Sequence, residues 1–269
     1  MAYADVNGQR LYFEDTGGDS TDIIVFSHGL LWSTKMWRFQ IAALRDRYRC
    51  IAWDHRGQGK SEVTPSGYDM DTLTEDACGL IEALDVAPVH FVGLSMGGFV
   101  GMRLAARRPE LLRSLALIET AADAEPKRNI PKYLAMSALT RVLGVRPFVP
   151  TVMRIMFGRT FLRDPARMEL RKGLERELAG NDLTGMRRAL WGVISRQPVA
   201  SAELARIRQP TLVLSGEEDV AVPGARSARL ASAIAGARFM RIPRAGHSSS
   251  LEEPEAVTRA LLEHWERVR

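Results

Sequence analysis

A serine hydroxyl becomes a competent nucleophile when a neighbouring base takes its proton, usually a histidine oriented by a carboxylate. The stretch Phe91-Val92-Gly93-Leu94-Ser95-Met96-Gly97-Gly98-Phe99 offers such a serine. An apolar run, Val89 to Leu94, leads into Ser95, and a helix-forming segment, Phe99 to Arg107, follows. Gly93-Leu94-Ser95-Met96-Gly97 fits Gly-x-Ser-x-Gly, whose glycines permit a sharp strand-to-helix turn with the serine exposed at its tip. Patterns this short also occur in ordinary turns, so other parts of the chain must supply the partners.

Five histidines compete for the base. His264 lies among Glu263, Glu266 and Arg267 in the terminal helix, which suggests a solvated face. His90 is at the wrong end of the strand before Ser95, His55 sits in an Arg-Gly loop, and His28 precedes a glycine where structural hydrogen bonding accounts for it. His247 differs, because it follows Ala245-Gly246 just after the last strand, Phe239 to Ile242. A loop there lies at the carboxyl edge of a parallel sheet, where open α/β sheets bind ligands. The orienting acid should come from another loop on that edge. Asp219 fits, in Ser215-Gly216-Glu217-Glu218-Asp219; Glu217 and Glu218 are near competitors whose plainer reading is a solvated loop, and Glu119, at the end of the preceding strand, is the more serious rival. Two backbone N–H groups can hold a developing oxyanion: Met96, which follows the serine, and Leu30, after His28-Gly29. A tight turn is the plainer account of His28-Gly29, although Gly29 would also let a ligand approach closely.

The elements that must position these residues alternate. Ala2 to Val6 and Arg10 to Asp15, joined by Asn7-Gly8, predict a hairpin. Ile23 to Phe26 and Cys50 to Trp53 are too continuously apolar for half-exposed strands, and Met36 to Leu44 between them has helical spacing. A helix is expected over Asp71 to Leu84, with Thr72 and Glu75 as a capping box, and a strand over Ser114 to Ile118. From Ala121 to about Ala200 the pattern is helical only, which predicts an inserted cap (121–200) on a core made of 1–120 and 201–269. Strand and helix then alternate again through Thr211 to Gly216, Gly224 to Ala235, Arg238 to Ile242 and Glu253 to Val268.

Composition narrows the partners. With 269 residues, 46% hydrophobic, the chain can bury a large core. Cys50 and Cys78 have neither metal-ligand nor disulfide spacing, which predicts reduced structural thiols. No apolar run is long enough for a membrane span and no secretory signal is evident, so a cytoplasmic protein without a membrane partner is the expectation. The net charge of +5 is uneven: residues 121–200 hold 15 Lys and Arg against 7 Asp and Glu. Those charges are scattered and no reader motif is present, so no nucleic-acid partner is expected.

Taken together, Ser27-His28-Gly29, Asp54-His55-Arg56-Gly57-Gln58-Gly59-Lys60-Ser61, Gly93 to Gly98, Gly216 to Asp219 and Gly246-His247 resemble the α/β-hydrolase superfamily in its serine-nucleophile branch, over nearly the whole chain. The resemblance is nearest to carboxylesterases and 3-oxoadipate enol-lactonases. It implies an α/β-hydrolase fold: an eight-stranded, mostly parallel sheet with the second strand antiparallel, flanked by helices, and a helical cap between strands six and seven. It also implies a structural role for the loop containing Asp54, Arg56 and Ser61. The expected activity is hydrolysis of small, partly apolar esters or lactones, with no metal or organic cofactor. C–C bond hydrolysis, or non-catalytic ligand binding on the same fold, is the alternative. Trp32, Met136, Met153, Met156, Phe157, Trp191, Val220 and Leu251 are the candidate pocket residues. A basic cap would favour acidic substrates, whereas solvation of surface arginines explains the same charges without a ligand. Oligomeric state is not legible.

Overall fold

Asn7 and Gly8, at φ 49° and 73°, close the hairpin between β1 (Ala2–Val6) and β2 (Gln9–Asp15) in the computed structural model, which describes residues 2–268. Positions 1 and 269, the outer limits of the expected core, lie outside them. The remaining strands are β3 (Ile23–Ser27), β4 (Arg49–Trp53), β5 (Val89–Leu94), β6 (Leu112–Ile118), β7 (Thr211–Gly216) and β8 (Arg238–Ile242). They form one sheet in the order β1-β2-β4-β3-β5-β6-β7-β8. β2 pairs antiparallel with both neighbours, and every other pairing is parallel.

Alternation along the strands divides the core into two layers. Val25, Phe91, Leu115 and Val213 point to one side, where α2 (Met70–Ala83) and α3 (Met96–Arg107) cover them. Ile24, Phe26, Val92 and Leu214 point to the other, under α1 (Arg38–Leu44) and the C-terminal helix. Parallel strands covered on both faces must be apolar throughout, which is why Val89–Leu94 is buried at every position. Cys50 and Cys78 are buried free thiols, pushed up to about 12 and about 11 by burial.

Between β6 and β7 the chain forms α4 (Ile130–Leu143), α5 (Val149–Met156), α6 (Arg159–Arg163), α7 (Met168–Ala179), α8 (Leu183–Ile194) and α9 (Ser201–Leu204). These cap helices join the second layer through Val149, Met153, Leu174 and Leu178. After β7 come α10 (Gly224–Ala233), α11 (Ser249–Glu252) and α12 (Pro254–Glu266).

One local expectation changes. The N-cap of α2 is Asp69, whose carboxylate accepts from the Thr72 N–H at 2.9 Å, so Thr72 belongs to the first turn and not to a capping box. The final helix, expected over Glu253 to Val268, runs Pro254–Glu266, with Glu253 at φ −131°, ψ 61° before the proline that opens it. The Asp54–Ser61 loop is fastened by its own side chains. Asp54 accepts from the N–H groups of Thr34 and Lys60, Ser61 donates to the Asp54 carbonyl, and Arg56 forks onto buried Asp76 at 2.8 and 2.6 Å.

Candidate active site

Ser95 follows β5 directly, at φ 51°, ψ −108°, a conformation that costs a non-glycine residue about 1–3 kcal/mol. Neighbouring elements hold it there. Its N–H donates to the Ile118 carbonyl (2.8 Å), and its carbonyl accepts from Thr120 Oγ1 and the Phe99 N–H, both at 3.0 Å. The flanking glycines are steric necessities: a Cβ on Gly93 would sit 2.3 Å from the Gly97 carbonyl oxygen, and one on Gly97 2.2 Å from that of Ser27. Ser95 thus stands at the N-terminus of α3, where helix N–H groups favour developing negative charge.

His247 comes from the loop after β8 and Asp219 from the loop after β7, and both side chains are buried. His247 Nδ1 lies 2.8 Å from Asp219 Oδ2, while Asp219 Oδ1 accepts from the N–H groups of Ala221 (2.8 Å) and Val222 (2.9 Å). An ionised carboxylate only accepts, so Nδ1 carries the imidazole proton and Nε2 keeps its lone pair. Ser95 and His247 line the same cavity. Leu30 lines it too, next to Gly29, where a Cβ would stand 3.4 Å from that of Ser95. Gln58 bridges this loop to the turn after Ser95, accepting from the Leu31 N–H at 2.8 Å and approaching Met96 Sδ at 3.8 Å.

A profile of the alpha/beta hydrolase fold matches residues 22–254. The chain belongs to that family.

Among solved structures, this alpha/beta hydrolase is similar to the enol-lactonase from Burkholderia xenovorans LB400 (30% identity, TM-score 0.90, covering 98% of this chain and 100% of that one). It is also similar to a thermophilic esterase from Thermogutta terrifontis (27%, TM-score 0.89, 99% and 98%). A curated relative from Pantoea ananatis, RutD, named as a candidate carbamate hydrolase, is 28% identical over 265 residues, or 96% of this chain and 94% of that one.

Glu119, the rival acid, is fully buried behind the pair at φ 49°. Both its carboxyl oxygens face the Gly216 N–H, at 2.9 and 2.7 Å. Burial, together with the charge of Asp219, pushes its carboxyl well above the usual carboxylate range. The histidine contact goes to Asp219. Glu252, which the sequence pattern did not single out, accepts from the N–H groups of Gly246 (2.9 Å) and Ser248 (3.0 Å) on either side of His247, and from Gly158 of the cap (2.7 Å). Burial raises it to about 7 against the pull of those three donors. Its place five residues after His247 was the only available sign.

The other histidines are structural. His28 accepts the His55 N–H at Nε2 (3.0 Å) and donates from Nδ1 to the Gly29 carbonyl (2.7 Å), and burial lowers it to about 4. His264 is buried, not solvated; α12 turns it inward beside Trp265, and desolvation lowers it to about 4.

Of the eight candidate pocket residues, Met136 and Met156 line the cavity. Trp32, Met153, Phe157 and Leu251 are buried in the layer beneath it, with Trp32 edge-on to Phe157 and Phe157 stacked on Phe161. Val220 is 66% exposed, because the turn that aims the Ala221 and Val222 N–H groups at Asp219 sends it outward; Ala221 and Val222 line the cavity instead. Trp191 is 58% exposed and lines a separate surface groove beside residues 65–69. The remaining wall is mainly aliphatic and aromatic: Leu31, Phe99, Phe148, Val149, Ile155, Met186 and Leu190 among others. Phe99 was legible as i+4 from Ser95 on one helix face. Arg196, also in the wall, is buried 3.3 Å from Glu125 with its guanidinium 4.1 Å from the Phe99 ring centre, and burial lowers it to about 10.

Proposed function

We propose that this alpha/beta hydrolase cleaves small, partly apolar carboxylic esters or lactones through an acyl-enzyme. The observation that carries the proposal is the meeting of Ser95 and His247 in one apolar-walled cavity, with His247 Nδ1 anchored 2.8 Å from Asp219. His247 Nε2 takes the Ser95 proton as Oγ adds to the substrate carbonyl, and Asp219 stabilises the imidazolium. The N–H groups of Leu30 and Met96 hold the oxyanion. Collapse of the tetrahedral adduct expels the alcohol, which takes the proton from His247; in a lactone the alcohol stays tethered to the acyl group. Water, deprotonated by the same histidine, then releases the acid. Similarity to an enol-lactonase and an esterase supports this substrate class.

The test is labelling with a fluorophosphonate and mapping of the adduct by mass spectrometry, followed by turnover of p-nitrophenyl esters and lactones. The adduct should fall on Ser95, and Ser95→Ala should lower ester turnover by about 10³-fold or more without lowering the melting temperature. Near-normal turnover in that variant would refute the assignment.

A further inference from the structure

Helix α4 has an unusual distribution of apolar residues. Only Lys132 and Arg141 are charged among its fourteen residues. At 3.6 residues per turn, Tyr133, Met136, Ser137 and Thr140 share one face, and that face lines the cavity of Ser95. The outer half, between Arg141 and Lys132, carries Leu134, Leu139 and Val142, which are 43%, 50% and 82% exposed, and Leu143, 57% exposed, lies just past its edge on the side of Met136. A helix apolar on every side is ordinarily buried on every side. This one packs on α8 and leaves its outer half in water. Three large aliphatic side chains on the outer half of one helix, with a fourth exposed at its edge, mark an interaction surface, unlike single exposed residues scattered over a protein.

The surrounding charge selects the partner. Lys132 and Arg141 lie near the two margins of the apolar half, Lys127 and Arg128 precede the helix, and Arg146 follows it; all five are exposed. From Pro126 to Arg163 the chain holds eight Lys and Arg and no Asp or Glu. A second copy presenting the same face would set like charges against each other. Nucleic acid would match the charge but has no use for leucine and valine. An anionic lipid surface matches both features, because the aliphatic groups enter the acyl boundary while basic side chains at the margins reach the phosphate headgroups.

We propose that the outer face of α4 is a peripheral docking surface for an anionic lipid bilayer. The proposal does not depend on the reaction assigned to Ser95. Among the described residues no helix is long and apolar enough to cross a membrane, and none is needed, since α4 would lie in the interface. The sequence expectation of no membrane partner rested on the lack of a spanning run and on basic residues that are scattered along the chain, neither of which takes account of an apolar helix face with basic residues at its margins.

Flotation of the full chain with phosphatidylcholine vesicles, with and without about 30% phosphatidylserine, tests it. The chain should float with the anionic vesicles only, and should be released in about 0.5 M salt. The double variants Val142→Ser/Leu143→Ser and Lys132→Glu/Arg141→Glu should each bind at least about tenfold more weakly while p-nitrophenyl acetate turnover stays unchanged. These are exposed positions, so the variants keep the fold. No flotation at low salt, or equal flotation of the variants, overturns the proposal. So does a solution dimer that Val142→Ser/Leu143→Ser dissociates in the absence of vesicle binding, which would assign the face to a second copy.

Discussion

Replacing Asp219 by asparagine changes one feature of the site, the polarity of the atom facing His247. Asparagine has the same shape, and its Oδ1 can keep the N–H groups of Ala221 and Val222 at 2.8 and 2.9 Å, so the turn after β7 holds. At the second position an NH₂ group now points at His247 Nδ1, where a carboxylate oxygen stood at 2.8 Å. Two donors cannot pair. The imidazole must present a lone pair at Nδ1 and carry its proton on Nε2, which is the tautomer unable to accept from Ser95. Tautomer reversal in such a triad lowers kcat by about 10⁴, or roughly 5 kcal/mol of barrier, whereas one lost charge-assisted bond costs the fold about 1–3 kcal/mol. Burst kinetics on p-nitrophenyl acetate, with a thermal melt of the same sample, separate the two effects. Glu119→Gln is the companion variant: its amide oxygen can still accept the Gly216 N–H, and kcat should stay within about tenfold of the parent. Asp219→Asn retaining a tenth of parental kcat, or Glu119→Gln collapsing by 10³, would refute this assignment of roles.

Two further outcomes follow from buried charge. Glu252 has a folded-state value of about 7 against an ordinary 4.5, so the folded protein binds more protons in that interval and its stability falls as pH rises from about 4.5 to about 7, by roughly 3 kcal/mol. Glu252→Gln does not titrate, so the parent's stability relative to the variant should decline across that window in urea melts; parallel curves would exclude the shift. Arg56→Met leaves the buried Asp76 carboxylate with only Asn7 and Gln9 as side-chain donors, which should cost about 3–5 kcal/mol, and adding Asp76→Leu should recover much of it. An Arg56→Met protein melting within a degree or two of the parent would show that the pair contributes little.

The strands and the Ser95 turn were legible because their determinants are local. A fully buried parallel strand must be apolar at every position, and a turn with φ 51° at serine needs small neighbours, so Val89–Leu94 and the glycines at 93 and 97 announce themselves. Asp219 and His247 were legible from their chain positions, each just past a strand on the carboxyl edge. Glu252 was not, because its role depends on Gly158 arriving from the cap 94 residues earlier in the chain. His264 misled for a related reason: its charged neighbours are visible in the sequence, whereas the packing of α12 against Tyr48 and His90 through Trp265 is not.

The misplaced pocket residues share a physical cause, since aromatic and methionine side chains satisfy a core and a cavity wall equally well and composition cannot separate the two. What decides is which face of a cap helix makes the closest approach. In α8 that face is written in small residues. Gly185, Ala189 and Gly192, at i, i+4 and i+7, form one stripe, and a Cβ on Gly185 or Gly192 would sit 1.9 or 1.8 Å from the carbonyl oxygens of Gly57 and Tyr68. Once that stripe is pressed onto the core loops, helical geometry turns Met186, Leu190, Val193 and Ile194 into the cavity and Trp191 out to solvent. The glycines of α8, more than its large side chains, therefore determine which of its residues line the cavity of Ser95.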